Sequence, residues 1–191
     1  MIKQEIRDGW IIWEPNFIDC RNAQEYLSYF KNELPWIGGK IQLFGKGYEI
    51  PRRQVFFADE ELSYSYSGKT LPKSSWDKHV TAIKTEIESN LDETFNACLA
   101  NLYRDGNDSN GWHSDNEKEL GKNPVIASIS LGETRKFHLK HNETNEKMSF
   151  DLSHGSLLIM GGALQHFWKH QVPKSKKVME PRVNLTFRKL F

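Results

Sequence analysis

The sequence predicts a mostly β, α+β fold: a sandwich or jelly roll with two N-terminal helices packed on one of its faces. Three observations lead there. The 191 residues are enough for one domain with a real core and too few to expect two. From residue 96 onward the chain reads as short apolar segments divided by turn dipeptides. Before that, two segments repeat apolar residues at helical rather than alternating spacing.

Residues 10–14 read as a short strand. Asp19 can cap a helix over roughly 21–34, where Ala23, Tyr26, Leu27, Phe30 and Leu34 fall on one side, and Pro35 with the Gly38-Gly39 pair ends it. A second helix, over roughly 75–90, opens after Pro72 with Ser74 or Ser75 as cap and aligns Trp76, Val80, Ile83 and Ile87. Between them, residues 40–72 alternate short strand-like pieces with Gly and Pro, the pattern of a surface hairpin or lid. The later strands are expected at 97–104, 125–131, 135–140, 147–152, 156–160, 166–172 and 182–188, with turns at Asp105-Gly106, Asn110-Gly111 and Gly161-Gly162. The helices would cover a sheet face that is otherwise open to water. This gives one domain over 1–191, with the jelly-roll core at 96–191 and the lid at 40–72.

Composition narrows the class without naming it. Apolar residues are 38%, charged residues 27% and the net charge is +1, so no partner follows from overall charge. Cys20 and Cys98 form no CxxC pair, which argues against a zinc–cysteine site and for a reducing compartment. The first residues lack the apolar core of a secretory signal, and no apolar run approaches the ~18 residues of a membrane span. An intracellular protein is expected, cytoplasmic in a bacterium or nuclear in a eukaryote.

His113-Ser114-Asp115 sits at the end of a candidate strand. Residues i and i+2 of an extended segment project to one side, so an imidazole and a carboxylate can reach one ion. A second imidazole would complete a 2-His-1-carboxylate triad, which leaves coordination positions open as a structural zinc site does not. Either His166 or His170, both in HFWKHQV, could supply it. Downstream, Arg182, Asn184, Thr186 and Arg188 share one face of a strand and Val183, Leu185 and Phe187 the other. Two arginines inside a barrel are costly without anions, and a dicarboxylate would satisfy them through bidentate forks. A solvated edge strand is the alternative.

The segments HSD, KHQVP and PRVNLTFR, with NLYRDG, SISLGETRKF and HGSLLIM, resemble the AlkB family of iron(II)/2-oxoglutarate nucleic-acid dioxygenases over roughly residues 40–191. FGKGYEIPRRQ and the Tyr-x-Tyr before SGKTLP point to its DNA-repair branch, which includes the nuclear human homologues. The resemblance implies a double-stranded β-helix with a nucleotide-recognition lid, an Fe(II) cofactor, and 2-oxoglutarate and O2 as cosubstrates. It implies His113, Asp115 and His170 as iron ligands, leaving His166 as a core or supporting residue. Asn101, Tyr103, Arg182, Thr186 and Arg188 would bind 2-oxoglutarate, with no catalytic side chain beyond the ligands. Phe44, Gly45 and Lys46 would form a finger that probes the duplex, and Tyr64 and Tyr66 would line the base pocket. Asn116 stands where close relatives carry an acid that contacts the base, which bears on the choice between methylated adenine and cytosine.

The activity so implied is oxidative demethylation of 1-methyladenine and 3-methylcytosine in DNA, with formaldehyde released, by a monomer with no membrane partner. A 2-oxoglutarate dioxygenase acting on RNA, or a non-catalytic module that binds damaged bases, are the alternatives. Two basic stretches could neutralise phosphates: Lys40, Lys46, Arg52 and Arg53, and Lys169, Lys174, Lys176 and Lys177.

Overall fold

The computed structural model describes residues 1–43, 46–60, 65–66, 69–70 and 72–191. The chain begins with β1 (Lys3–Ile6), β2 (Gly9–Glu14) and α1 (Cys20–Glu33). There follow β3 (Lys40–Leu43), β4 (Lys46–Glu49), β5 (Arg53–Ala58), β6 (Ser65–Tyr66), β7 (Lys69–Thr70), β8 (Lys73–Ser74) and α2 (Lys78–Ser89). The remainder is β9 (Ala97–Tyr103), β10 (Asn110–His113), β11 (Ile126–Gly132), β12 (Arg135–His141), β13 (Lys147–Leu152), β14 (Ser156–Gly161), the short α3 (Leu164–Phe167), β15 (Trp168–Val172) and β16 (Arg182–Arg188).

Two sheets face each other. The larger has eight strands in the order β1-β2-β14-β11-β16-β9-β5-β8, and the smaller has four in the order β10-β15-β12-β13. Within the 40–72 segment, β5 pairs antiparallel with β9 and belongs to the larger sheet, whereas β3–β4 and β6–β7 are separate hairpins.

Side-chain alternation sorts each strand of the larger sheet between two cores. Ile129, Leu185, Phe187, Leu157 and Cys98 face Ala23, Leu27 and Phe30 of α1 and Val80, Ile83 and Ile87 of α2. Their neighbours Ile126, Leu158 and Met160 face Phe137, Leu139, Trp168 and Val172 of the smaller sheet. The helices therefore cover one face, as expected, and the smaller sheet covers the other. Each fully buried Leu, Ile or Phe contributes about 1.5–3 kcal/mol to holding the three layers. Strand β16 is central, between β11 and β9, and all seven of its residues are buried, which excludes the solvated edge strand. No helix among the described residues is long and apolar enough to cross a membrane.

Three local expectations are corrected. Strand β1 lies before the expected first strand and pairs with it. The cap of α2 is Asp77, not Ser74 or Ser75: its Oδ1 accepts from the backbone N–H of His79 and Val80 at 2.8 and 3.1 Å. The expected strand over 166–172 begins only at Trp168, because the turn after Gly161-Gly162 winds through α3 first.

Asp77 also accepts a hydrogen bond from the Tyr29 hydroxyl of α1 at 2.9 Å, so one carboxylate caps α2 and ties the helices together. Asp77→Ala is expected to cost about 1–2 kcal/mol in urea unfolding, and Ser75→Ala less than about 0.5 kcal/mol.

Candidate metal centre

Strand β10 has one residue more than the stretch of β15 it faces. Asn110 pairs with Val172 and His113 with His170, so a bulge falls at Gly111-Trp112. The bulge sets His113 directly across from His170, with ring centroids 4.2 Å apart at 62°. Two residues on, Asp115 turns in from the loop, and one ligand atom from each of the three side chains lies within 4.8 Å of the others. Among the described residues this is the group of His, Cys, Asp or Glu that could hold a metal ion.

The environment prepares each donor. His113 Nδ1 lies 2.8 Å from the Gly111 carbonyl oxygen, which can only accept, so the proton sits on Nδ1 and Nε2 keeps its lone pair. Asn110 Nδ2 donates to that Nε2 at 3.1 Å, consistent with the same tautomer. Burial pushes the His113 imidazole below its ordinary pKa, and pushes buried His170 down to about 3. Both rings are therefore neutral at neutral pH, the form that binds metal. Burial opposes ionisation of Asp115, but the Arg188 guanidinium and then the two imidazoles outweigh it, holding the carboxyl below the usual range. Arg188 donates to Asp115 Oδ2 from Nε and Nη2 at 3.1 and 2.7 Å.

The fit to a cation shows in what these bonds leave over. Asp115 Oδ1 and His170 Nδ1 are buried and have no hydrogen-bond partner. A buried anionic oxygen without a donor is expensive, and a divalent ion is the partner that oxygen and imidazole donors suit.

The polar face of β16 continues the site. Asn184 donates to Ser128 Oγ and the Ile129 carbonyl at 2.8 and 2.9 Å, and Thr186 Oγ1 donates to Asn184 Oδ1 at 3.0 Å. Arg182 donates to Ser130 Oγ at 2.9 Å and lies 5.1 Å from the Tyr103 ring centroid. Its Nε and Nη1 are buried without partners, and none of the ion pairs among the described residues includes it. Burial pushes its pKa down to about 10, so it remains a cation at neutral pH. A buried guanidinium with two spare donors is a receptor for a carboxylate.

All eight residues expected to bind iron or 2-oxoglutarate line one pocket: Asn101, Tyr103, His113, Asp115, His170, Arg182, Thr186 and Arg188. The pocket is partly open to solvent, and its empty space, open solvent included, is about 500 Å³. Asn116 follows Asp115 and is exposed. His166, expected as core or support, lies exposed on α3 and accepts from the Asn123 N–H at 3.4 Å, away from the cluster. Phe44, Gly45 and Tyr64 lie outside the described residues, while the backbones of Lys46 and Tyr66 fall in β4 and β6.

Several supporting residues escaped the sequence reading. Arg52, expected among the cations that could neutralise phosphates, is instead buried, and its Nε and Gln54 Nε2 both donate to Asn101 Oδ1, at 2.9 and 3.0 Å. Arg135 donates to the carbonyls of Asp105, Asp108 and Pro173, and its guanidinium carbon lies 5.6 Å from the Tyr103 ring centroid. Ser128 and Ser130 had a signal, two hydroxyls at i and i+2 of an apolar strand. Gln165 had none: it is fully buried, and its Oε1 accepts from the Asp115 backbone N–H at 2.9 Å. Gln165→Leu keeps the bulk and removes that acceptor. It is expected to weaken binding of Mn(II), a redox-quiet probe, by about 10- to 100-fold in an equilibrium titration.

A family model for the 2OG-Fe(II) oxygenase superfamily matches residues 11–188. The chain is 40% identical to human alpha-ketoglutarate-dependent dioxygenase alkB homolog 3 over 93% of its own length and 65% of that protein's, so it spans just under two thirds of that relative. It is 37% identical to the mouse DNA oxidative demethylase ALKBH2, over 89% of this chain and 73% of that one. The solved structure of OsALKBH1 overlays with a TM-score of 0.66 and 21% identity, covering 97% of this chain and all of that one, which speaks for the shared fold. On the matched residues and the relatives' identity, the chain belongs to the 2OG-Fe(II) oxygenase superfamily, within its AlkB family.

Proposed function

We propose that the protein is an iron(II)- and 2-oxoglutarate-dependent dioxygenase that removes methyl groups from N-methylated bases in DNA. One observation carries the reading: a buried His-Asp-His donor set and a buried arginine with two donor atoms left unpaired converge on the same pocket. The relatives named DNA oxidative demethylase support DNA as the substrate. When bound, iron(II) with 2-oxoglutarate and O2 supplies the oxidation that hydroxylates the N-methyl group, with succinate and carbon dioxide as coproducts. The hemiaminal so formed on the base breaks its C–N bond to give formaldehyde and the repaired base.

The chain's own residues bind, orient and exclude. His113, Asp115 and His170 would hold the iron, and a set of only three protein donors would leave coordination positions for exchangeable ligands. Arg188 keeps Asp115 ionised and fixes its Oδ2, so that Oδ1 is the oxygen presented. Arg182 would take the distal carboxylate of 2-oxoglutarate, with Tyr103 against it; Asn101, steadied by Arg52 and Gln54, and Thr186 supply further polar contacts. Leu99, Ile126, Phe137, Leu152, Met160 and Val172 wall the pocket with apolar surface and keep bulk water out.

A base must leave the stack to reach such a pocket. Phe44, Gly45 and Lys46 would probe the duplex, and Tyr64 and Tyr66 would line the flipped base's slot. Asn116, exposed beside Asp115, would read the base edge and can donate as well as accept. The same chemistry serves an RNA strand. Two unpaired cysteines, one of them exposed, support an intracellular setting.

The test is formaldehyde release from single- and double-stranded oligodeoxynucleotides carrying 1-methyladenine or 3-methylcytosine. Release that requires both iron(II) and 2-oxoglutarate is expected, and none from any of these substrates would refute the proposal. Arg182→Lys, which keeps the charge but loses the fork, is expected to raise the KM for 2-oxoglutarate about 10- to 100-fold.

A further inference from the structure

The outer face of the smaller sheet, turned away from the pocket, carries a charge arrangement that the site does not use. The strand register sets Lys140 of β12 directly opposite Lys147 of β13 on one side and Lys169 of β15 on the other. Three ammonium groups thus form one row across three strands, each about 5 Å from the next at Cβ, where like charges destabilise a sheet. None of the three appears in an ion pair among the described residues. Of the nearby acids, Glu146 pairs with Arg7, Asp151 with Lys136 and Asp8 with His141, while Glu143, in the turn between β12 and β13, is exposed and joins no ion pair among the described residues.

At the end of the row stands an exposed aromatic. Trp112, 44% exposed, lines a surface groove of about 600 Å³ with Lys140, His141, Asn142 and Lys169. Lys169 immediately precedes buried His170, so alternation turns it outward, and exposed Trp112, which sits in the bulge before His113, shares the groove with it. Strand β10 is the edge of its sheet, so a polymer crossing that edge passes from the groove toward the pocket in about one or two strand spacings of ~5 Å. The sequence grouped Lys169 with Lys174, Lys176 and Lys177. The fold parts them, because those three line a different groove beside Arg135 and Lys136.

We propose that this face docks a single strand of nucleic acid running away from the damaged base, with Lys147, Lys140 and Lys169 on successive phosphates and Trp112 stacked on an undamaged base. The inference rests on the proposed nucleic-acid substrate and adds where the rest of that substrate lies. A row of three lysines that join no ion pair among the described residues, ending in an exposed ring, matches the alternation of charge and base in a single strand. It relieves its repulsion only when anions occupy it.

The test uses fluorescence anisotropy of a fluorescein-labelled, unmodified single-stranded 20-mer at several salt concentrations. The triple variant Lys140→Ala, Lys147→Ala, Lys169→Ala is expected to lower the slope of log affinity against log salt by about 2, or ~0.7 for each lost phosphate contact. Trp112→Ala is expected to weaken binding about 5- to 100-fold with the slope unchanged. Because like charges are removed, the triple variant should melt at or above the wild-type temperature. Should it melt lower, Lys169→Gln alone should still reduce the slope by about 0.7. A wild-type slope in these lysine variants would overturn the proposal, as would wild-type binding to phosphatidylserine vesicles with none to the oligonucleotide. Formaldehyde release by the unaltered protein tests the demethylation separately, so the two failures remain distinguishable.

Discussion

The ion pair between Arg188 and Asp115 joins a central strand of the larger sheet to the loop that follows the edge strand of the smaller one, at 2.7 Å and almost wholly out of water. Breaking such a pair by removing one partner costs about 3–5 kcal/mol, because a lone charge stays buried. The rest of the site is arranged around that constraint. Asp115 must be ionised to satisfy Arg188, which fixes Oδ2 and leaves Oδ1 facing two neutral imidazoles. The pair is thus less a source of stability than a means of aiming one oxygen.

That aim depends on supports from three directions. The bulge in β10 sets His113 across from His170, Gln165 holds the backbone of Asp115, and Asn110 and Gly111 fix the tautomer of His113. Gln165 and His170 sit five residues apart, on α3 and β15, so one turn positions the third proposed ligand and props the second. At the other end of β16, Arg182 is anchored by Ser130 and Tyr103 but keeps two donors unpaired. The helices α1 and α2 make this affordable by packing on the opposite face of the same sheet, so the polar face can be spent on chemistry.

The parts legible in the sequence were those written in local periodicity. Alternation along 182–188 separated Val183, Leu185 and Phe187 from the pocket residues, and the structure divides them that way. Helical spacing found Ala23, Leu27 and Phe30, and Val80, Ile83 and Ile87, all buried. What failed was non-local or one residue wide. Ser74 and Ser75 are equally good caps by sequence, and what sets Asp77 apart is a bond to Tyr29 of another helix. His166, a possible third ligand by spacing and a core or supporting residue by resemblance, is neither, because α3 turns the first part of HFWKHQV outward. The contacts of Gln165 and Arg52 span 50 and 49 residues, and the lysine row needs three strands in register. No pattern within a single segment carries such information.

The central claim is that His113, Asp115 and His170 hold one iron beside a 2-oxoglutarate receptor. An anaerobic titration addresses it most directly, adding iron(II) and then 2-oxoglutarate to the metal-free protein. The expected result is one iron per chain and a weak visible charge-transfer band that appears only with 2-oxoglutarate and is abolished by Asp115→Ala. A band of undiminished intensity in that variant, or no iron uptake by the unaltered protein, would contradict it.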